Sequence, residues 1–269
     1  MIRQFTLINS KNETWTFTDK DFKCFLSNPQ GLGFSRTIST NRYGSVLQLE
    51  DVTDAFPNPT GEIIFYDDSN VTRYEKYNDF CRFIASEPLV LTYTLPNETE
   101  YTLDCIVSSL GKTEGTTEKT LSCPIQFYGL SFYKGVTVTT RSQNPTFIVM
   151  NDSDVPVGLK LVIDGSLLNP YIKFSQDGNL YGEAKFLDEY NQFSQISLNS
   201  VDGEEELILK QNNVAVANPL SYQDLSISNG SIYVTFVRLA RGNTQIEVGV
   251  DSGTISNITA TITPIYRSV

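Results

Sequence analysis

Histidine is absent from this 269-residue sequence, and that gap removes the commonest general base, the usual activator of a serine or cysteine nucleophile, and the most frequent transition-metal ligand. Any proton-transfer chemistry falls to carboxylates, lysine or tyrosine. Cysteine is scarce. Cys24, Cys81, Cys105 and Cys123 all lie in the first half at spacings that form no CxxC motif, which argues against a thiolate zinc site and for small, reduced, apolar side chains. Long apolar runs are missing too. No window reaches the roughly 18 uninterrupted apolar residues of a membrane span. The opening MIRQFTLINSKNETW also lacks the apolar stretch of a signal peptide, so synthesis in a cytoplasm without membrane insertion is expected. Positive charge is in deficit: 20 Lys and Arg face 31 Asp and Glu, and the net charge of -11 repels phosphate backbones, so no nucleic-acid partner is expected.

What is present is a folded, β-rich composition, with 40% hydrophobic, 12% aromatic and only 19% charged residues. The length allows two domains, placed at 1–134 and 135–269. Up to residue 66 the chain reads as a meander of short strands: Arg3-Leu7, Thr14-Phe17, Phe22-Leu26, Gly33-Ile38, Val46-Val52 and Gly61-Phe65, punctuated by Asn-Pro, Gly and Asp. One helix is predicted from Val71 to Ser86, where Tyr74, Tyr77, Cys81 and Ile84 recur at three- and four-residue spacing, with Ser69 or Asn70 as N-cap and Pro88 beyond its end. Strand Leu89-Thr94 follows. The stretch Tyr101 to Tyr133 then reads as a protruding hairpin arm. Leu103, Cys105 and Val107, and later Leu121, Cys123, Ile125 and Phe127, alternate with polar residues around the polar, glycine-containing segment 111–119. Such an arm offers unpaired backbone groups to a neighbour. If it turns symmetrically about Glu114, Cys105 and Cys123 face each other and could bridge on oxidation.

Beyond residue 135 helical periodicity disappears. Strands at Val136-Arg141, Phe147-Met150, Gly158-Asp164, Tyr171-Phe174, Glu183-Leu187, Gln195-Ser200, Glu206-Gln211, Leu225-Ile227, Ile232-Leu239, Thr244-Val250 and Ile258-Tyr266 suggest an antiparallel sandwich.

The candidate chemistry is thin. Carboxylate pairs could be drawn from Asp67, Asp68, Asp104, Asp164, Asp188, Glu189 or 204–206, but such residues are ordinary at strand ends and turns. The run Gly203-Glu204-Glu205-Glu206 reads as a solvated loop before it reads as a calcium site. Asn151-Asp152-Ser153-Asp154 reads as an Asx turn, because the later positions of a calcium loop do not follow. Sequons at Asn12, Asn70, Asn97, Asn151, Asn229 and Asn257 are assigned no function. Trp15, Tyr171, Tyr181, Tyr190 and Tyr222 are candidate sugar-stacking rings, each set against core or rim packing. No metal, cofactor or catalytic residue is expected, so the chain is not read as an enzyme.

Three stretches together carry a resemblance: the opening MIRQFTLIN; the helix VTRYEKYNDFCRFIAS with PLVLTY after it; and Leu103 through GKTEGTTEKTLSCPIQFYGLSFY. In order and spacing they resemble the N-terminal domain of the distal tail (Dit) proteins of siphophages infecting Gram-positive bacteria. Leu207-Ile208-Leu209, Leu239 through Ile246 and Thr263-Pro264-Ile265-Tyr266-Arg267-Ser268-Val269 look more diffusely like the family's closing sandwich. The resemblance implies a mainly β protein. An N-terminal β-sandwich or belt domain carries one helix and a long hairpin arm, and a galectin-like antiparallel sandwich follows. It further implies a homohexameric ring at the virion tail tip, assembled in the host bacterial cytoplasm. That ring would join tail-tube or tail-terminal proteins to the tail-associated protein and carry receptor-binding or other baseplate proteins. The ring contacts it implies fall on Lys112, Thr113, Glu114, Glu118 and Lys119 of the arm, and on Tyr74 and Tyr77 of the helix. The chain resembles a compact form, without the insertions that bring carbohydrate-binding modules to larger relatives. The competing reading is a carbohydrate-binding adhesin that recognises host cell-wall saccharides through tyrosines such as Tyr171 or Tyr222.

Overall fold

The computed structural model describes residues 4–17, 23–67, 69–113, 119–186, 192–215, 220–221, 232–234 and 236–269. The chain forms two compact units, Met1–Gly135 with Tyr266–Val269, and Val136–Ile265. The last four residues thus belong with the first unit.

In the first unit one antiparallel sheet runs in the order Thr14–Thr16, Gln4–Ile8, Leu89–Thr94, Glu100–Leu110, Thr120–Gly129, Thr60–Tyr66, Cys24–Gln30. Period-two alternation does what it must on a sheet with one buried face: Leu103, Cys105, Leu121, Cys123, Ile125 and Phe127 all point into the core. The helix Asn70–Ile84 lies over part of that face, starting at the N-cap Ser69. Its buried side is rotated from the predicted one. Phe80, Phe83 and Arg73 are buried, whereas Tyr74 sits at the exposed margin. The cause is aromatic packing. Phe80 meets Trp15 edge-on at 5.1 Å between ring centres and Phe17 at 5.9 Å, so the helix turns its phenylalanines inward. Arg73 is accommodated because its guanidinium donates to the Asp67 carbonyl at 2.5 Å.

The arm expectation is corrected here. Residues 100–105 and 120–126 are central, flanked by Leu89–Thr94 and Thr60–Tyr66, whereas 106–110 run on past Leu89 and pair with Thr120–Gly129 alone. An edge that no strand of the sheet pairs is left only at 106–110. The turn is not centred on Glu114 either: Leu110 opposes Ile125 and Thr113 opposes Ser122. Cys105 stands opposite Gly129, so the conditional Cys105–Cys123 bridge is excluded by register, and none of the four cysteines forms a disulfide.

The second unit has two antiparallel sheets. One runs Val138–Ser142, Ser252–Ile262, Val157–Leu168, Phe193–Asn199, Glu206–Gln211, Val214–Ala215; the other runs Thr146–Asn151, Gly242–Gly249, Tyr171–Gln176, Asn179–Phe186, Ile232–Val234. Inward residues of both, including Leu161, Ile163, Ile196 and Leu198 from the first and Ile172, Phe174, Phe186 and Ile246 from the second, form one core. The strand expected at Leu225-Ile227 lies outside the described residues.

Candidate assembly surface

Within the first unit one hairpin stands apart from the sheet. Arg36–Tyr43 and Val46–Asp54 pair only with each other, through a tight turn that places Gly44 at φ +64°. Directly opposed residues share a face of a two-stranded ribbon. The pairs Ile38 with Val52, Thr40 with Leu49, and Arg42 with Leu47 therefore put four aliphatic side chains on one side. The other side carries Thr37, Ser39, Asn41, Gln48, Asp51 and Thr53, with Tyr43 opposite Val46 beside the turn. A bulge between Ser39 and Thr40 leaves Glu50 without an opposed partner. Its carboxylate accepts from Ser39 Oγ at 3.2 Å and from Asn41 Nδ2. Away from the turn, where Tyr43 and Val46 fall on the polar side, the ribbon is amphipathic, yet its apolar side is bare: Ile38, Leu47 and Leu49 are 61, 67 and 59% exposed.

That arrangement is unusual for a protein at rest in water. A lone two-stranded hairpin is marginally stable, and exposed aliphatic groups grouped on one face mark an interaction site more often than they mark chance. Burying an aliphatic side chain fully gains about 1.5–3 kcal/mol, so covering these four partly exposed groups is worth on the order of 3–7 kcal/mol per hairpin. The expected strand Val46-Val52 falls within Val46–Asp54, whereas the expected Gly33-Ile38 shares only 36–38 with Arg36–Tyr43, and nothing in either pattern showed that the pair leaves the sheet. The available signal was apolar thinness, since RTISTNRY carries only Ile38 and Tyr43 as large apolar residues, too few for a strand covered on either face.

The residues expected to make ring contacts are partly brought together. The Lys112 ammonium lies 4.3 Å from the Tyr74 ring centre and 5.8 Å from that of Tyr77. Tyr77 is half-buried against Phe65, and burial, reinforced by its hydrogen bond with Cys81, pushes its hydroxyl up to about 12. Thr113 donates its backbone N–H to Ser122 at 3.0 Å, and the Lys119 carbonyl accepts from Asp67 at 3.3 Å. Glu114 and Glu118 lie outside the described residues.

The remaining candidates resolve into ordinary structure. Asp67 pairs with Lys23 at 2.6 Å and Glu204 with Lys160 at 2.9 Å, and Asp104 pairs with Lys134. Asp164 accepts from Gln195 at 2.7 Å. Asn151 is fully buried; its side chain donates to the Leu239 carbonyl at 2.8 Å and accepts from Ser153, as an Asx turn requires. Trp15 is a core residue. Tyr171 lies so close over Gly249 that an added Cβ would come within 2.2 Å of its ring; Lys173 stands 4.8 Å from the ring centre and the hydroxyl donates to Glu247 at 3.0 Å. Its ring is thus already engaged by its own sheet. Tyr181 meets Thr244 at 3.0 Å. Asp68, Asp188, Glu189, Tyr190 and Tyr222 lie outside the described residues. Among the described residues no cluster of three or more Cys, Asp or Glu is placed to hold a metal ion, and no helix is long and apolar enough to cross a membrane.

Residues 4–130 match the family model described as distal tail protein, N-terminal domain. Over that span, just under half of the chain, the sequence is that of a distal tail protein N-terminal domain. The fold likeness extends over the whole length. The Dit protein (gp 19.1) of phage SPP1, described as a paradigm of the hub adsorption apparatus in phages infecting Gram-positive hosts, is 12% identical at a TM-score of 0.70 over 97% of this chain and 98% of that one. A chain of the phage P2 baseplate in its activated conformation with Ca is 15% identical, at a TM-score of 0.56 over the full length of both chains. The corresponding chain with Sr is 14% identical at 0.55, again over both full lengths. No curated protein matches the sequence. At these identities the structural likeness speaks for the fold, and the family assignment rests on the first domain.

Proposed function

We propose that this chain is a distal tail protein, the hub of a phage tail tip. Six copies close into a ring through their first units. The ring joins the tail tube or tail-terminal protein to the tail-associated protein, and it carries receptor-binding or other baseplate components at its periphery. The second unit, read as a galectin-like sandwich, serves as the outward module. Synthesis and assembly take place in the host bacterium's cytoplasm, before the protein resides at the virion tail tip. The observation that carries this reading is the hairpin 36–54, whose aliphatic face is built and left exposed. A head-to-tail ring gives each such face one neighbour to pack on, and closure leaves none bare. The arm contacts assigned to Lys112, Thr113, Glu114, Glu118, Lys119, Tyr74 and Tyr77 belong to the same reading as a polar margin of the ring contact. The family's role fits the engaged carboxylates of the first and second units, and the engaged ring of Tyr171 gives the adhesin reading no support of its own.

The test is the mass of the purified full chain across a range of concentrations, by native mass spectrometry or light scattering. Wild type is expected to reach six times the protomer mass. The double change Leu47→Glu, Leu49→Glu is expected to stay monomeric with an unchanged melting temperature, because neither side chain contributes to the core. A wild type that remains monomeric at every concentration, or a double variant that still forms hexamers, would sink the proposal.

A further inference from the structure

The hairpin 36–54 shares no sheet with the rest of its unit, so its direction depends on what grips its root. Backbone closure is supplied by Ala55, which donates to the Ser35 carbonyl at 3.1 Å. The side-chain grip comes from a distant part of the chain. Asp54, the last hairpin residue, divides its carboxylate between two arginines: Oδ1 accepts from Arg36 Nε at 2.8 Å, and Oδ2 lies 2.7 Å from Arg267 Nε as an ion pair whose N–H is not aligned on it. The same two guanidinium groups approach the ring of Phe34, at 4.7 Å for Arg36 and 5.7 Å for Arg267. Arg36 and Asp54 both belong to the hairpin, so their pairing moves with it. Arg267 does not. It sits between two residues fastened to the first unit's core: Tyr266, whose ring meets Tyr101 edge-on at 5.3 Å, and Val269, whose N–H donates to the Leu32 carbonyl at 3.2 Å.

We infer that Arg267 is a positioning residue for the assembly hairpin: it ties the hairpin root to the core through Asp54 and Phe34, and so holds the aliphatic face in the orientation a second copy meets. This rests on the reading that the hairpin packs on a neighbouring copy. The physical gain is preorganisation, since an arm already held in its bound direction loses less freedom on association. The three charged side chains are only partly exposed, at 45, 21 and 30% for Arg36, Asp54 and Arg267, which protects the link from full screening by salt.

Two readouts on the full-length Arg267→Met chain test it: amide hydrogen exchange, resolved for 36–54 and for the core strands Glu100–Leu110 and Thr120–Gly129, and the protein concentration at half-assembly. The expected result is hairpin exchange at least tenfold faster with core exchange unchanged, and a half-assembly concentration raised at least tenfold. Arg267→Lys should recover part of both. Unchanged hairpin exchange would overturn the inference, and so would equal loosening of the core strands, which would make Arg267 a general stabiliser. A looser hairpin with unaltered assembly would also overturn it. The double change Leu47→Glu, Leu49→Glu separates the two failures: if that variant assembles normally, the fault lies with the assembly role of the hairpin, and if it does not, the fault lies with Arg267.

Discussion

Two hairpins in the first unit look alike in sequence and live in opposite surroundings. The one spanning Glu100–Leu110 and Thr120–Gly129 alternates strongly, contains a polar connection and reads as an arm, yet it is the centre of the sheet with Leu103, Cys105, Leu121, Cys123, Ile125 and Phe127 buried. The one spanning Arg36–Tyr43 and Val46–Asp54 reads as two more strands of a meander, yet it stands free of the sheet with aliphatic groups in water. Alternation reports that one face of a strand is apolar. It does not report whether that face is covered by the same chain or by another. The density of large apolar residues separates them better, since a central strand needs enough of them to be worth covering.

The sharpest way to break this comparison is to delete one side chain from each hairpin. Phe127→Ala removes a fully buried ring from the central hairpin and is expected to cost about 3–5 kcal/mol, seen as a large fall in the denaturation midpoint. Leu49→Ser removes an exposed side chain from the detached hairpin and is expected to stay within about 0.5 kcal/mol of wild type for the monomer. Equal losses at the two positions would mean that the hairpin 36–54 folds against the core after all.

Much of the fold was legible in the residues. Leu89–Thr94 and Glu206–Gln211 match their expected bounds, and the helix Asn70–Ile84 starts within one residue of its expected place, with Ser69 at the N-cap position but making no side-chain capping bond. What was not legible is long-range. Nothing near Glu114 reveals that Cys105 will oppose Gly129, because register there depends on bulges such as the one between Val107 and Ser109. Nothing in Tyr74, Tyr77, Cys81 and Ile84 reveals that Phe80 and Phe83 will be drawn inward by Trp15, whose ring lies 5.1 and 5.7 Å from theirs. The assembly surface was the least visible part, because a partner outside the chain leaves no pattern that a strand inside it would not.

A smaller contrast between the hairpins is chemical. Cys105 and Cys123 lie in the central one, and burial pushes both thiols up from the ordinary value near 9 to about 12; the detached hairpin has no thiol. Below pH 9 the folded and unfolded chains both keep these protons. Between pH 9 and 12 the unfolded chain releases them while the folded one retains them, so stability falls as pH rises through that window. The loss is on the order of 1–2 kcal/mol per thiol by about pH 10.5. Urea denaturation of wild type and Cys105→Ala at pH 8 and pH 10.5 should show a shallower decline for the variant. Identical declines would show that Cys105 ionises as freely in the fold as out of it.

The smallest expected effect lies where the polar connection of the central hairpin meets the helix. Lys112 stands over Tyr74 and within reach of Tyr77, joining the end of the hairpin to the exposed margin of the helix. At a site this exposed a cation over a ring is worth about 0.5–1 kcal/mol, so Lys112→Met should lower stability by no more than that, while Lys112→Arg should hold it level. The informative quantity is the effect on assembly. If the central hairpin's tip is part of the ring contact, Lys112→Met weakens hexamer formation by more than its monomer stability accounts for. If the two losses match, Lys112 only fastens the helix to the hairpin, and hairpin 36–54 carries the contact without it.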